Sequence, residues 1–304
     1  MSAYTFIVNP RAGRGSGRKI LAPLQEQLRK RGAEHAIALT RGPGDATSLA
    51  RAAAGSVIVA VGGDGTVNEV ANGLSGSGRI LGIVPTGSGN DFIKSIGISR
   101  NLAQALDVVF SGNVRAVDVG VVQCGNGNSS LRCFVNGVGI GFDAAVAART
   151  AEIRHLKGTA LYLAAVLQTL RSFSAPVFHL RVDEHRQESR NLLIAVGNGT
   201  CAGGGFYLTP DAEVDDGLLD LCIVDDLPVS KILRLIPKVM RSNHRDAEGV
   251  TFMKGRSIAL RSDTPFFVHA DGEIVGRNVR EVEIQVKPKH QRVLVGAMGT
   301  GAHA

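Results

Sequence analysis

The chain opens with an alternation of short β-rich apolar runs and segments of helical period. Residues 4–8, 36–39 and 57–61 read as strands, and 19–31, 45–54 and 67–74 as helices between and after them. That is a βαβαβα order. A further strand at 80–84, a Pro/Gly loop and a helical pattern at 101–110 extend it, so a mostly parallel, doubly wound α/β domain is predicted, with ligands expected at the C-terminal strand ends. After about Asp118 the texture changes. Apolar runs at 117–123, 131–136, 177–182, 191–196, 218–224, 256–261, 265–270 and 281–286, parted by Gly and Asn, predict a second, β-rich and largely antiparallel domain. Segments 142–154, 159–172 and 229–242 read as helices within it. The run 292–295 is too short for a domain and adds to either sheet. The predicted boundaries are 1–118, rejoined by 291–304, and 119–290.

Composition fits this globular reading. Of 304 residues, 44% are apolar and 20% charged, which excludes a disordered or fibrous chain. The 38 glycines exceed the usual ~7% without a triplet period, placing them in turns and close backbone approaches. A net charge of +7 favours anionic partners. Four cysteines with no C-x-x-C pair suggest reduced thiols rather than a disulfide framework or zinc site. The start of the chain has no signal-peptide pattern, and the longest uncharged apolar stretch, 158–170, is short of the ~20 residues that span a bilayer. The expected location is therefore cytoplasmic, with any membrane met from its inner surface. With few aromatics and no Trp, nothing but charge favours nucleic acid, and none is expected as a partner.

The densest chemistry follows the strand at 57–61: Gly62, Gly63, Asp64, Gly65 and Thr66, then an apolar helical pattern opening at Val67. Glycines let backbone N–H groups approach an anion, and a helix N-terminus adds a favourable dipole. Asp64 would repel bare phosphate, so the loop points to a Mg-nucleotide; an ordinary βα turn capped by Thr66 explains the same residues more plainly. Two more loops fall at matching places, Asn9 to Gly13 after the first strand and Pro85 to Asp91 after the fourth. There is no Walker A loop, no G-x-G-x-x-G with a distal acid, no G-x-S-x-G elbow and no H-E-x-x-H.

Taken together, Val8-Asn9-Pro10-Arg11-Ala12-Gly13, Gly62 to Glu69, Pro85 to Asp91 and Asp271-Gly272-Glu273 resemble the soluble bacterial diacylglycerol/lipid kinases, related to the sphingosine kinases. The resemblance covers nearly the whole chain. Gly-Gly-Asp-Gly-Thr is shared with NAD kinases and some phosphofructokinases, whereas the 85–91 loop and the 67–74 continuation favour lipid kinases. It implies a two-domain ATP-dependent lipid kinase whose nucleotide site lies between the domains. Asn9, Pro10, Arg11, Ala12, Gly13, Thr40, Gly62, Gly63, Asp64, Gly65, Thr66, Val67, Asn68, Glu69 and Ser88 would contact ATP, and Asp64 and Asp91 would organise Mg²⁺ and phosphate. Asp118 matches a recurring family acid linked to these two, or is a strand-end turn former.

Phosphoryl transfer needs positioning, charge neutralisation and a group to take the acceptor's proton. By resemblance that group is Glu273, with Asp271 positioning it or sharing the role; the local pattern alone reads as an Asp-Gly hairpin turn. The acidic run 211–220 fails as an EF-hand, its Gly one place late and Cys222 at position twelve. The resemblance instead implies a structural Mg²⁺ held by the Asp216 side chain and carbonyls near Glu213 and Leu218, against a solvated acidic turn. Residues 229–241 carry an apolar stripe and basic residues at 231, 234, 238 and 241, a pattern that suits a lipid surface or a core-packed helix with a solvated face. Arg149, Arg154, His155 and Lys157 would add to it. The eight histidines show no ligand spacing and read as surface or satisfied core residues.

The expected partners are a lipid substrate and a peripheral membrane, with a homodimer compatible. Rivals are an NAD kinase-type phosphotransferase, which leaves 85–91 unexplained, and a non-catalytic nucleotide- or lipid-binding regulator, which has no use for a proton acceptor.

Overall fold

The computed structural model describes residues 3–125, 131–153 and 158–297. The chain divides into two compact units, one of Met1–Val119, Glu213–Asp216 and Lys287–Ala304, the other of Gly120–Ala212 and Gly217–Val286.

The first unit holds β1 (Tyr4–Val8), α1 (Ala12–Lys19), α2 (Leu21–Lys30), β2 (His35–Leu39), α3 (Asp45–Ala52), β3 (Val57–Gly62), α4 (Asp64–Leu74), β4 (Ile80–Pro85), α5 (Phe92–Ser95) and α6 (Leu102–Ser111). Its strands run parallel in the order β2-β1-β3-β4, in register Val8 with Leu39 and Val61, and Val61 with Val84. β3 is apolar and buried along its whole length, as a strand covered on both faces must be. The order reverses between β1 and β3, which makes their C-terminal ends the topological switch point.

Four further elements follow: β5 (Val114–Cys124), β6 (Arg132–Phe134), β7 (Gly137–Gly141) and α7 (Phe142–Glu152). Next come α8 (Gly158–Ser172), β8 (Val177–Val182), β9 (His185–Gly197) and β10 (Leu219–Asp225). The chain closes with α9 (Val229–Met240), β11 (Val250–Gly255), β12 (Ser257–Ala270) and β13 (Glu273–Leu294). In the second unit the ladders β5–β6, β7–β9, β7–β12, β8–β9, β8–β12, β9–β10, β10–β11 and β12–β13 are antiparallel. β9 and β12 each change partner along their length: β9 pairs first with β8 and then with β7 and β10, β12 first with β8 and then with β7. One core gathers Phe134, Phe178, Ile194, Leu221, Val268 and Ile284. Another places Phe142, Val166, Cys222, Ile232, Leu235 and Val239 together, so α7, α8 and α9 share one apolar layer.

Several expectations are corrected. The glycine-rich segment after the first loop is helical: α1 forms despite positive φ at Gly13 and Gly15. α4 opens at Asp64 rather than Val67, with Gly63 at its cap position, so Thr66 lies in the first turn instead of capping it. β7 and β11 were not foreseen, and the runs at 256–261 and 265–270 form one strand, as do those at 281–286 and 292–295. Arg292 and Val293 at the end of β13 run parallel to β4, beside Ile80 and Leu81. None of the four cysteines is joined in a disulfide. His244 and His269 are not satisfied core residues: each carries a buried Nδ1 without a hydrogen-bond partner. Arg154, His155 and Lys157 lie outside the described residues.

Candidate active site

β1, β2 and β3 each end at a predicted site residue, and β4 ends at the loop that carries Ser88 and Asp91. Asn9 follows β1, Thr40 follows β2, Gly63 follows β3 and Thr86 follows β4. The strand-end hydrogen bonds continue the sheet: Asn9 N donates to Val61 O, Thr40 N to Val8 O and Thr86 N to Gly62 O.

Glycine then lets the loops touch backbone to backbone. A Cβ on Gly13 would lie 2.0 Å from Thr86 O, and one on Gly87 would lie 2.4 Å from the Gly63 Cα. The Asn9 side-chain amide donates to Thr66 Oγ1 at 3.0 Å. Asp64 joins the second loop to the third, its carboxylate accepting Asn90 N at 2.7 Å and Asp91 N at 2.6 Å. Asn90, held at φ 50°, closes the third loop by bonding both the N–H and the carbonyl of Gly87. Arg100 donates to the carbonyls of Ser88 and Gly89.

The first turn of α4 has no side-chain cap, so its leading N–H groups have no intrahelical partner. Beside them Thr86 carries a buried hydroxyl without a partner. An open cavity of about 860 Å³ adjoins the first loop, lined by Arg11, Arg18 and Lys19 among others. A helix N-terminus, the Thr86 hydroxyl and basic side chains suit a polyphosphate. The carboxylates of Asp64 and Asp91 are oxygen donors of the kind a hard divalent cation takes.

Three members of the predicted nucleotide set lie on α4 itself. Val67 and Asn68 are buried within α4, and the Glu69 carboxylate accepts Gly44 N and Ala46 N, capping α3. Sequence spacing missed this because it could not show α3 and α4 side by side. Asp91 is paired with Lys94 at 2.8 Å. Asp118 is fully buried in the middle of β5, not at a strand end; its Oδ1 accepts Lys289 N at 2.6 Å.

In the second unit, Asp271 and Gly272 both have positive φ and join β12 to β13, with Ala270 paired to Glu273. This is a two-residue hairpin of the primed kind, so the plain turn reading of the sequence is right as geometry. The two carboxylates do not converge on one partner. Asp271 is buried and accepts three main-chain N–H groups, from Val135, Asn136 and Gly137. Glu273 is partly exposed and bonds Arg132 at 2.8 Å. Arg132 had no motif to announce it. Nearby on β12, His269 pairs with Asp143 at 3.2 Å over Gly139, where a Cβ would strike both side chains.

The acidic run is divided among separate cations. Arg115 holds Asp215 by two 2.6 Å bonds, while Arg245 pairs with Asp211 and Lys254 with Asp220. Asp216 and Glu213 are exposed, next to Gly217 at φ 75°. Among the described residues no group of three or more His, Cys, Asp or Glu side chains is placed to hold a metal. The predicted Mg²⁺ set uses one carboxylate and two carbonyls, a different kind of site.

The comparisons with known proteins follow the same division. Residues 3–122 match the model described as "Diacylglycerol kinase catalytic domain", and 136–295 match "YegS C-terminal NAD kinase beta sandwich-like domain". The chain belongs to the diacylglycerol kinase/lipid kinase family. It is 32% identical to the Bacillus subtilis protein named "Putative lipid kinase YtlR", across 91% of this chain and 94% of that one. It is 29% identical to a Bacillus subtilis diacylglycerol kinase, with 91% of each chain covered. A crystal structure titled as a diacylglycerol kinase from Bacillus anthracis superimposes with a TM-score of 0.76 at 28% identity, covering 97% of both chains. These family members confirm the two-domain fold, α/β first and β-rich second, and imply a kinase.

Proposed function

We propose that this protein is an ATP-dependent kinase that transfers the γ-phosphate to a hydroxyl of a lipid such as diacylglycerol or a related lipid alcohol. The observation that carries the reading is the convergence of three glycine-rich loops on the C-terminal ends of β1, β3 and β4, at the uncapped start of α4. Backbone approach at Gly13, Gly63 and Gly87 builds the phosphate cradle, with Asn9, Thr40, Thr66 and Ser88 around it. Arg11, Arg18 and Lys19 supply positive charge for the nucleotide.

Mg²⁺, held by carboxylate oxygens of Asp64 and Asp91, would neutralise charge on the transferring group. Glu273 takes the acceptor hydroxyl's proton, and Arg132 fixes the direction of its carboxylate. Asp271 is a positioning residue, since its oxygens are engaged by the main chain of 135–137. A structural Mg²⁺ at Asp216 with the carbonyls of Glu213 and Leu218 belongs to the same proposal.

The test is transfer of radiolabelled γ-phosphate from ATP to extracted lipids in mixed micelles, with NAD as a parallel acceptor. A labelled lipid, lost in Glu273→Gln, is the expected result, and mass spectrometry then names the lipid. Label on NAD, or on nothing while ATP still binds, would replace this reading by one of its rivals.

A further inference from the structure

Helix α9 packs on the second unit through Ile232, Leu235 and Val239, which are buried. The rest of it is unusual for a surface helix. Of the seven large apolar side chains exposed among the described residues, three are Val229, Leu233 and Met240, at 48%, 41% and 44% exposure. At 100° per residue these three fall within about 40° of one another, the buried trio within about 60° and Arg234, Lys238 and Arg241 within about 60°. The helix therefore carries three separate stripes: one packed, one apolar and exposed, one basic and exposed.

The charges are not balanced by neighbours. Lys231 pairs with Glu248, and Arg245, beyond the helix, with Asp211. Arg234, Lys238 and Arg241 are exposed and form no ion pair among the described residues. An apolar stripe flanked by free cations matches the boundary of an anionic bilayer, where apolar side chains enter the acyl edge and cations meet the headgroups. A second copy is a poorer occupant, since an isologous contact through this face would set like charges against each other.

We infer that α9 is a membrane-docking helix, seating the protein on anionic lipid through Val229, Leu233 and Met240 in the acyl edge and Arg234, Lys238 and Arg241 among the headgroups. This deepens the lipid-kinase reading by naming the surface that meets the bilayer, and it stands on observations separate from the loops. No helix among the described residues is long and apolar enough to cross a membrane, so the contact is lateral.

The experiment uses the full chain, without nucleotide, and vesicles of phosphatidylcholine with or without phosphatidylserine, neither of which offers a hydroxyl to phosphorylate. Wild type is expected to float with the anionic vesicles and to be released as salt rises from 0.1 M to 1 M, where screening shortens to roughly 3 Å. At about fivefold per basic side chain, the triple variant R234Q/K238Q/R241Q should lose roughly a hundredfold in affinity. Leu233→Gln should lose about tenfold or more. The chain has no tryptophan, so Leu233→Trp gives a single reporter whose emission should shift to the blue on anionic vesicles, while Val114→Trp should not shift.

Unchanged binding in the triple variant would overturn the inference, as would a wild type that ignores anionic vesicles. A concentration-dependent dimer in sedimentation velocity that Leu233→Gln abolishes would assign the stripe to a second copy instead. Phosphate transfer to a monomeric short-chain acceptor should be the same in the triple variant and wild type, so failure of the kinase reading and failure of the docking surface are distinguishable.

Discussion

A methyl group added to Gly87 would lie 2.4 Å from the Gly63 Cα and 2.7 Å from Asn90 Oδ1. Neither neighbour is the flexible end of a long side chain, so Gly87→Ala should force the second and third loops apart, destabilising the fold by ~1–3 kcal/mol in urea unfolding and abolishing phosphate transfer. Gly42→Ala, with open space around it, should change neither. The two acids of the hairpin should separate in the same assays. Asp271→Ala leaves three main-chain N–H groups, two of them in buried bonds, without this acceptor and should cost at least ~2 kcal/mol, less as Asp271→Asn, which keeps one oxygen. Glu273→Gln breaks the partly exposed pair with Arg132, worth ~0–1 kcal/mol, yet should slow transfer by roughly 10²-fold or more. Burial and the neighbouring Asp143 charge push the Cys222 thiol up to about 12, so it should resist alkylation in the native protein at pH 8.

At the scale of elements, the strand and loop order was legible because apolar runs and glycine clusters are local properties. Helix starts were less so. Asp64 to Thr66 look like loop residues, with two of the five preceding positions glycine, yet they join α4 because the third loop supplies partners for Asp64. β7 was hidden by three glycines in five residues, and β13 by the polar stretch 287–290 with Pro288 in it. The packing of β11 beside α9's C-terminal turn also sets a pH dependence. His244 stands edge-on to Phe252, with Nε2 3.4 Å from Leu208 O, and burial holds its pKa below the usual 6.5. The folded state therefore binds fewer protons than the unfolded chain between that lowered pKa and about 6.5, and stability falls as pH drops through this window. Wild type should lose more stability than His244→Gln between pH 7 and pH 5, as read from urea midpoints at each pH.

For the molecule as a whole, the boundary near residue 119 does not mark a separable piece. The first unit takes back residues 287–297, where Arg292 and Val293 flank β4, Lys289 N meets Asp118 and Val295 N meets Asn113 O. It also takes back 213–216, where Val214 O accepts Asp118 N and Asp215 holds Arg115. A fragment ending at residue 122 leaves the buried Asp118 without the Lys289 donor and one edge of β4 uncovered. It should show no cooperative unfolding transition by circular dichroism, whereas the full chain should.

What the sequence alone determined is whatever depends on neighbours along the chain: two kinds of periodicity, three glycine loops following strands, an Asp-Gly turn and the family those motifs mark. What the tertiary structure decided is which side chains those motifs meet. Glu69 caps α3, Asp64 binds the third loop, Asp271 holds 135–137 and Glu273 meets Arg132. Each partner lies 20 or more positions away, and hydrogen bonding depends on distance in space, which periodicity does not encode.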